Sequence, residues 1–214
     1  MQPFADREEA GRALGAAVAK LGLVDPVVLA LPRGGVPVAA EVARALHAPL
    51  DLLLVRKIGA PFEPELAVAA LVDAVDDDLL VDEPFMRELG IPMADVQAQA
   101  ETERAEIARR RALYLGDRPR VPLRGRTAIV VDDGIATGTT VRAALKGLRR
   151  SGPAVLVLAV PVAPPDTLAK LRREVDRLVC LRAPQPFRAV GVHYIDFHQV
   201  PDQEVIALLA QFNA

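Results

Sequence analysis

Eleven consecutive residues, VVDDGIATGTT at 130–140, hold an aliphatic run, two adjacent carboxylates, two glycines and three threonines. Asp132 and Asp133 are acceptors of hydrogen bonds, whereas the loop behind them is built to donate. If a strand ends at Val131 and a helix follows, the first helical amides have no internal partner. Ala136, Thr137, Gly138, Thr139 and Thr140 can then turn N–H groups toward an anion at the positive end of the helix dipole. Gly138 allows close backbone approach, and three hydroxyls add donors, which together make a phosphate cradle. It is not the nucleotide loop G-x-x-x-x-G-K-[ST], because only three residues separate Gly134 from Gly138 and no lysine follows; nor is it G-x-G-x-x-G. Without that lysine it suits one monoester phosphate better than a triphosphate. Alone, the loop reads equally as a plain strand-to-helix turn capped by Thr139 or Thr140. The acids shift that balance, since carboxylates can accept from the 2- and 3-hydroxyls of a ribose whose 5-phosphate the loop holds.

Residues 129–140, IVVDDGIATGTT, resemble the phosphoribosyl diphosphate (PRPP) motif of the type I phosphoribosyltransferases: a hydrophobic strand, two acids, an aliphatic pair, then small residues and threonine. Gly134 stands where that family usually has an aliphatic residue, and Thr139 where it often has Gly or Ser. Two further segments agree. LPRGGVPVA, 31–39, offers Arg33 beside Gly34 and Gly35, where a guanidinium and exposed amides can grip a diphosphate. In the family a short loop at this place binds pyrophosphate, often with a strained peptide bond. VRKIGAPFEPELAVA, 55–69, brings Arg56 and Lys57 off an apolar strand, and Gly59, Pro61 and Pro64 interrupt regular structure. It looks like the family's basic dipeptide and flexible loop, a lid that keeps water from the activated sugar. The chain is similar in particular to the predicted phosphoribosyltransferases of thermophilic bacteria.

The resemblance implies an enzyme that uses PRPP with Mg2+, transfers 5-phosphoribose to a nucleobase or other nitrogen nucleophile, and releases pyrophosphate. Asp132 and Asp133 would be catalytic, residues 136–140 would bind the 5-phosphate, and Arg33, Gly34, Gly35, Arg56 and Lys57 the pyrophosphate. Magnesium would be held through PRPP and water, with no direct protein ligand. The acceptor would be chosen by a hood in which Phe187 and Tyr194, with Phe197 beside them, are candidates for stacking on a base. Their alternation is also that of a half-buried strand, which favours packing for at least two of them. A regulator that senses PRPP or a nucleotide on the same fold is the alternative, and a hydrolase acting on a ribosyl phosphate a third reading. A homodimer fits the family as well.

These residues need a scaffold, and 214 residues suffice for one domain with a sizeable core. The chain is 51% hydrophobic and 25% charged with a net charge of -2, which excludes disorder and a broadly basic nucleic-acid binder. No stretch approaches the roughly 18 apolar residues of a membrane span, so a soluble, cytoplasmic protein is expected. Cys180 is the sole cysteine and lies in the apolar run RLVCL, which makes it a packing residue. One asparagine, one serine and frequent proline fit a heat-adapted or GC-rich source.

A helix is predicted over 6–21 with Asp6 as its cap and Gly22 as its stop. A strand at 26–31, a helix at 37–46 and a strand at 50–55 make a βαβ unit. Further strands are predicted at 67–72, 127–131, 154–160 and 177–181, with helices at 141–150 and 165–174. Continuous apolar strands alternating with helices indicate an α/β fold with a central parallel sheet covered on both faces. A helical insertion at 74–116, with helices at 83–89 and 92–115, is expected to cap the sheet's edge or mouth, and a hood at 182–214 to end in a helix at 202–212. The arginines at 109–111, 118, 120, 124 and 126 read as a solvated helix face paired with Glu101, Glu103 and Glu106, with RNA contact the lesser reading.

Overall fold

The computed structural model describes residues 2–74 and 79–212. Helix α1 (Arg7–Ala19) starts at Asp6, whose carboxylate accepts from the Glu9 amide at 2.7 Å. The chain continues through β1 (Pro26–Ala30), α2 (Gly35–Leu46) and β2 (Leu50–Leu52), then β3 (Val55–Ala60), β4 (Glu63–Val72) and β5 (Leu79–Val81). Two helices follow, α3 (Glu83–Glu88) and α4 (Met93–Leu115). The remainder alternates as β6 (Thr127–Val131), α5 (Thr139–Arg150), β7 (Val155–Val162), α6 (Pro165–Leu171) and β8 (Arg177–Arg182). A 3-10 turn (Val190–His193) and α7 (Asp202–Ala210) complete the described chain.

Five strands form a parallel sheet in the order β2-β1-β6-β7-β8. Alternate residues face opposite sides, as the pleat requires. Val28, Ala30, Ile129, Val131 and Val157 pack beneath α1, α2 and α7 with Leu14, Val42 and Leu209. Val27, Leu29, Val130, Leu156 and Leu158 pack on the other face against Leu145, Leu148 and Leu171 of α5 and α6. Cys180 joins that second core at its margin, where burial pushes the pKa of its thiol up. The order matters for function. From β1 the sheet grows one way, to β2, and from β6 the other way, to β7. The crevice at the carboxyl ends of β1 and β6 is therefore the topological switch point, the place where parallel sheets bind ligands.

The structure corrects the reading of residues 50–72. The run LDLLLV is divided between two sheets: β2 ends at Leu52, and the chain leaves the parallel sheet to begin β3 at Val55. Residues 67–72 belong to no parallel strand. They lie in β4, which pairs antiparallel with β3 and β5 in a separate three-stranded sheet. Nor is 55–69 an irregular loop, since β3 and β4 form a hairpin with Pro61 and the exposed Phe62 at its turn. Pro64 falls where the register shifts around Gly59 and Ala60, a position at which no ladder amide is required. Leu54, Ile58, Val68 and Leu71 of this sheet share a separate core with Met86, Val96 and Ile107 of α3 and α4. The expected insertion thus covers this second sheet, and its residues 75–78 lie outside those described, as do 213–214 of the expected hood.

The basic run is only partly a solvated face. Arg109 and Arg110 pair with Glu106, and Arg104 with Glu101, as helical spacing allows. Arg111 instead turns inward, 3.1 Å from both Asp51 and Asp73, and Arg120 reaches Asp73 from the chain beyond α4.

Candidate active site

The two loops that leave β1 and β6 run side by side. Ala30 is in register with Val131, and the Leu31 amide donates to the Val131 carbonyl at 3.0 Å. This places Arg33, Gly34 and Gly35 against Asp132 and Asp133. The contact is close enough to exclude side chains: a Cβ on Gly34 would overlap the Asp133 carboxylate, and one on Gly35 would lie 2.9 Å from the Val131 carbonyl oxygen. The Pro32–Arg33 peptide bond is cis. Gly34→Ala is expected to push the Asp133 carboxylate aside and lower kcat/KM on the order of 10²-fold in steady-state assays. An unchanged kcat/KM would show that this packing does not position the acid.

Asp133 Oδ2 accepts from Arg7 Nε at 2.8 Å, and its main-chain carbonyl accepts from the Tyr194 hydroxyl at 2.5 Å. Asp132 Oδ1 accepts from the Asp133 amide at 2.9 Å. Burial raises the pKa of Asp132 well above the ordinary carboxylate range, and the Asp133 charge beside it adds to the rise. Burial raises Asp133 too, but the Arg7 guanidinium works against it. The two acids are therefore unlike: Asp133 is the one bonded to a guanidinium.

Gly138, at φ 77°, turns the chain into α5, so Thr139 and Thr140 begin the helix. A Cβ at Gly138 would stand 2.8 Å from the Thr167 methyl group. The loop is held from both sides: the Thr167 hydroxyl donates to the Ala136 carbonyl at 2.8 Å, and the Ile135 amide to the Val162 carbonyl at 2.9 Å. Gly134, the departure from the resembled pattern, has a packing reason. A Cβ there would meet Val162 at 2.9 Å and also strike Val190 of the hood.

Beside Thr137, Gly138 and Thr139 opens a cavity of about 860 Å³ between the antiparallel sheet and α5 and α6. Lys57, Arg142 and Lys146 line it, so Lys57 lies on the phosphate-loop side of the site. The other two expected pyrophosphate cations are engaged by carboxylates. Arg56 Nε lies 2.5 Å from Glu103 of α4, and Arg33 is 3.6 Å from Asp202 at the start of α7, which also accepts from the Tyr114 hydroxyl at 2.7 Å. In the hood, Tyr194 is buried between Phe4 and Phe197, with ring centroids 5.6 and 5.1 Å away. Phe187 stacks on His193 at 5.5 Å. Both candidate stacking rings are thus packed against protein rings.

Sequence reasoning missed Arg7. The signal for it was a basic residue in the opening DREE of a helix, where the dipole favours acids. It also missed Glu103 and Asp202 as partners of the basic loops, because pairing across 47 and more residues leaves no local pattern.

A family profile described as phosphoribosyl transferase domain matches residues 80–195. A Mycobacterium tuberculosis (strain ATCC 25618 / H37Rv) protein, provisionally named a phosphoribosyl transferase, is 45% identical over 209 residues, covering 98% of this chain and 47% of its own. The chain thus spans about half the length of the curated relatives it matches. The crystal structure of TT1426 from Thermus thermophilus is similar over 100% of both chains, with 41% identity and a TM-score of 0.89. The AQ2163 protein from Aquifex aeolicus shares the fold at 12% identity, with a TM-score of 0.52 over 86% of this chain and 78% of its own.

Proposed function

The chain belongs to the phosphoribosyl transferase domain family, and from that premise we propose that it transfers 5-phosphoribose from PRPP to a nitrogen nucleophile and releases pyrophosphate. The observation that carries this reading is the convergence of an acid pair, a glycine-arginine loop and a threonine-rich helix start at the switch point of the sheet. Ala136, Thr137, Gly138, Thr139 and Thr140 would hold the 5-phosphate with backbone amides and hydroxyls. Asp132 and Asp133 would accept from the ribose hydroxyls and stabilise positive charge at the anomeric carbon as its bond to the diphosphate breaks and the bond to nitrogen forms. Arg33, with the Gly34 amide, would receive the departing diphosphate, and Arg56 and Lys57 would add charge from the hairpin; the Gly35 amide is not a donor to it, because it is bonded to the Leu31 carbonyl at 3.1 Å.

Magnesium would be an ion carried in by the ligand. Among the described residues no three His, Cys, Asp or Glu side chains gather into a metal-binding group. A hard cation here would take its oxygens from the diphosphate and water. When bound, it supplies neutralisation of the leaving group's charge.

A PRPP-sensing regulator is the second reading. It is favoured by the hood, where Tyr194 is buried and stacks on Phe197, and Phe187 stacks on His193. Calorimetry with Mg–PRPP, followed by a screen of nucleobases for pyrophosphate release, separates the two. Saturable binding with release in the presence of one base class is expected. Binding without release from any base supports the regulator, and absence of binding rejects both. No helix among the described residues is long and apolar enough to cross a membrane.

A further inference from the structure

Arg7 lies in none of the three motifs, yet it is among the most enclosed charged residues of the site, with 8% of its side chain exposed. A guanidinium in the first turn of a helix faces the positive end of the dipole, so its position must be maintained by tertiary contacts. It makes three. Nε donates to Asp133 Oδ2 at 2.8 Å, Nη1 donates to the His198 carbonyl at 2.8 Å, and the guanidinium lies 3.9 Å above the Phe197 ring. One side chain from α1 thus touches both the acid pair after β6 and the hood.

We propose that Arg7 is the positioning residue of this site: it pairs with the Asp133 carboxylate and locks the hood at residues 197–198 onto it. The proposal deepens the transferase reading and rests on it for the role of the acids. The charged and titratable groups around Asp133 support it. Asp132 stands directly beside it as a like charge, the Tyr194 hydroxyl sits on its main-chain carbonyl, and Arg182 and Asp196 lie farther out in the hood. On the side of β1 the backbone of Gly34 lies against it. Among the described residues, Arg7 is therefore the guanidinium bonded to the pair. Without it, two buried carboxylates share one proton, and the site presents one acceptor fewer to a ribose. With it, one oxygen of Asp133 is engaged and the other is available to a sugar hydroxyl.

The test is a carboxyl carbon NMR titration of aspartate-labelled protein without ligand, with the Asp133 resonance assigned by Asp133→Asn. In Arg7→Met the Asp133 titration is expected to move to higher pH by roughly 1–3 pH units, the usual effect of an adjacent opposite charge. A folded Arg7→Met in which Asp133 titrates as in the wild type overturns the proposal. If Arg7→Met does not fold, Arg7→Lys decides. A lysine keeps the charge but cannot span Asp133 and His198. It is expected to leave the acid limb of kcat/KM in place while lowering kcat/KM about 10-fold, of the order that loss of one orienting contact produces. Wild-type kcat/KM in Arg7→Lys would overturn the locking of the hood. The titration is made on free protein, so a wild type that fails to bind Mg–PRPP rejects the transferase reading while the role of Arg7 toward Asp133 is still decided.

Discussion

Replacing Asp132 with Asn is expected to raise the thermal midpoint at neutral pH while removing most of the transferase activity, on the order of 10²–10³-fold in kcat. Both effects come from one fact: the charged form of Asp132 is disfavoured by burial and by Asp133 beside it, so its pKa lies well above the ordinary 3.8. An acid whose pKa is raised on folding imposes no penalty below its unfolded value. The penalty grows as pH rises from there and is complete above the folded value. The Asn variant should therefore match the wild type in stability near pH 4 and gain on it as the pH approaches 7, by on the order of 2–4 °C in Tm for each kcal/mol relieved. Activity runs the other way. A ribose hydroxyl needs a charged acceptor, so wild-type turnover should fall on acidification at a higher pH than an ordinary carboxylate would dictate. Thermal melts and pH–rate profiles measured together check both halves. A variant that is no more stable at pH 7, or that keeps full turnover, refutes the assignment of strain and function to the same carboxylate. The matching change at Asp133 is less clean, because it also breaks the enclosed Arg7 pair and loses stability for that reason.

Arg111→Met is expected to cost about 3–5 kcal/mol of stability, the range for breaking a buried ion pair by removing one partner. Arg111 is 12% exposed and bonds two carboxylates, Asp51 at 4% and Asp73 at 1%. Asp51 also accepts from the Leu52 and Val121 amides, which fixes it in place. Removing the guanidinium strands Asp51 as a buried charge and leaves Asp73 with Arg120 alone. Denaturant unfolding should show the midpoint falling at unchanged m, with a Tm loss on the order of 10 °C. Arg12→Met is the control. Its pair with Glu8 is exposed on both sides and should change stability by less than about 0.5 kcal/mol. Equal losses in the two variants would mean that the buried network carries no special weight.

The parts of the fold that could be read from residues alone are those in which one local signal dominates. The runs at β1, β6, β7 and β8 are apolar on both faces and bounded by Gly, Pro or charge, and they became the parallel sheet with ends displaced by a residue or two. Asp6 declared the first helix through a cap that spans three residues. The segment at 50–72 was misread because its decisive information is not local. LDLLLV carries no mark at Leu52 to show that the chain changes sheets there, and Pro61 and Pro64 read as breakers until the turn and the register shift that accommodate them are seen. The site divides the same way. Its three motifs are contiguous stretches, and the structure sets two of them side by side at the switch point. Arg7, Glu103 and Asp202 act across the fold, and a single sequence does not display such pairings.

The ion pairs made by Arg33 and Arg56 change what it means for a diphosphate to bind here. Each cation already has a carboxylate, Asp202 for one and Glu103 for the other. On the proposed reading, a diphosphate arriving at the loop after β1 would exchange partners with these resident anions, and its affinity would be set by the difference between two pairings. The same two acids belong to α4 and to the start of α7, and Asp202 keeps its bond from the Tyr114 hydroxyl whichever partner Arg33 takes. Product departure would be the reverse swap: as pyrophosphate left, Glu103 and Asp202 would take back the cations, and the site would be cleared by substitution.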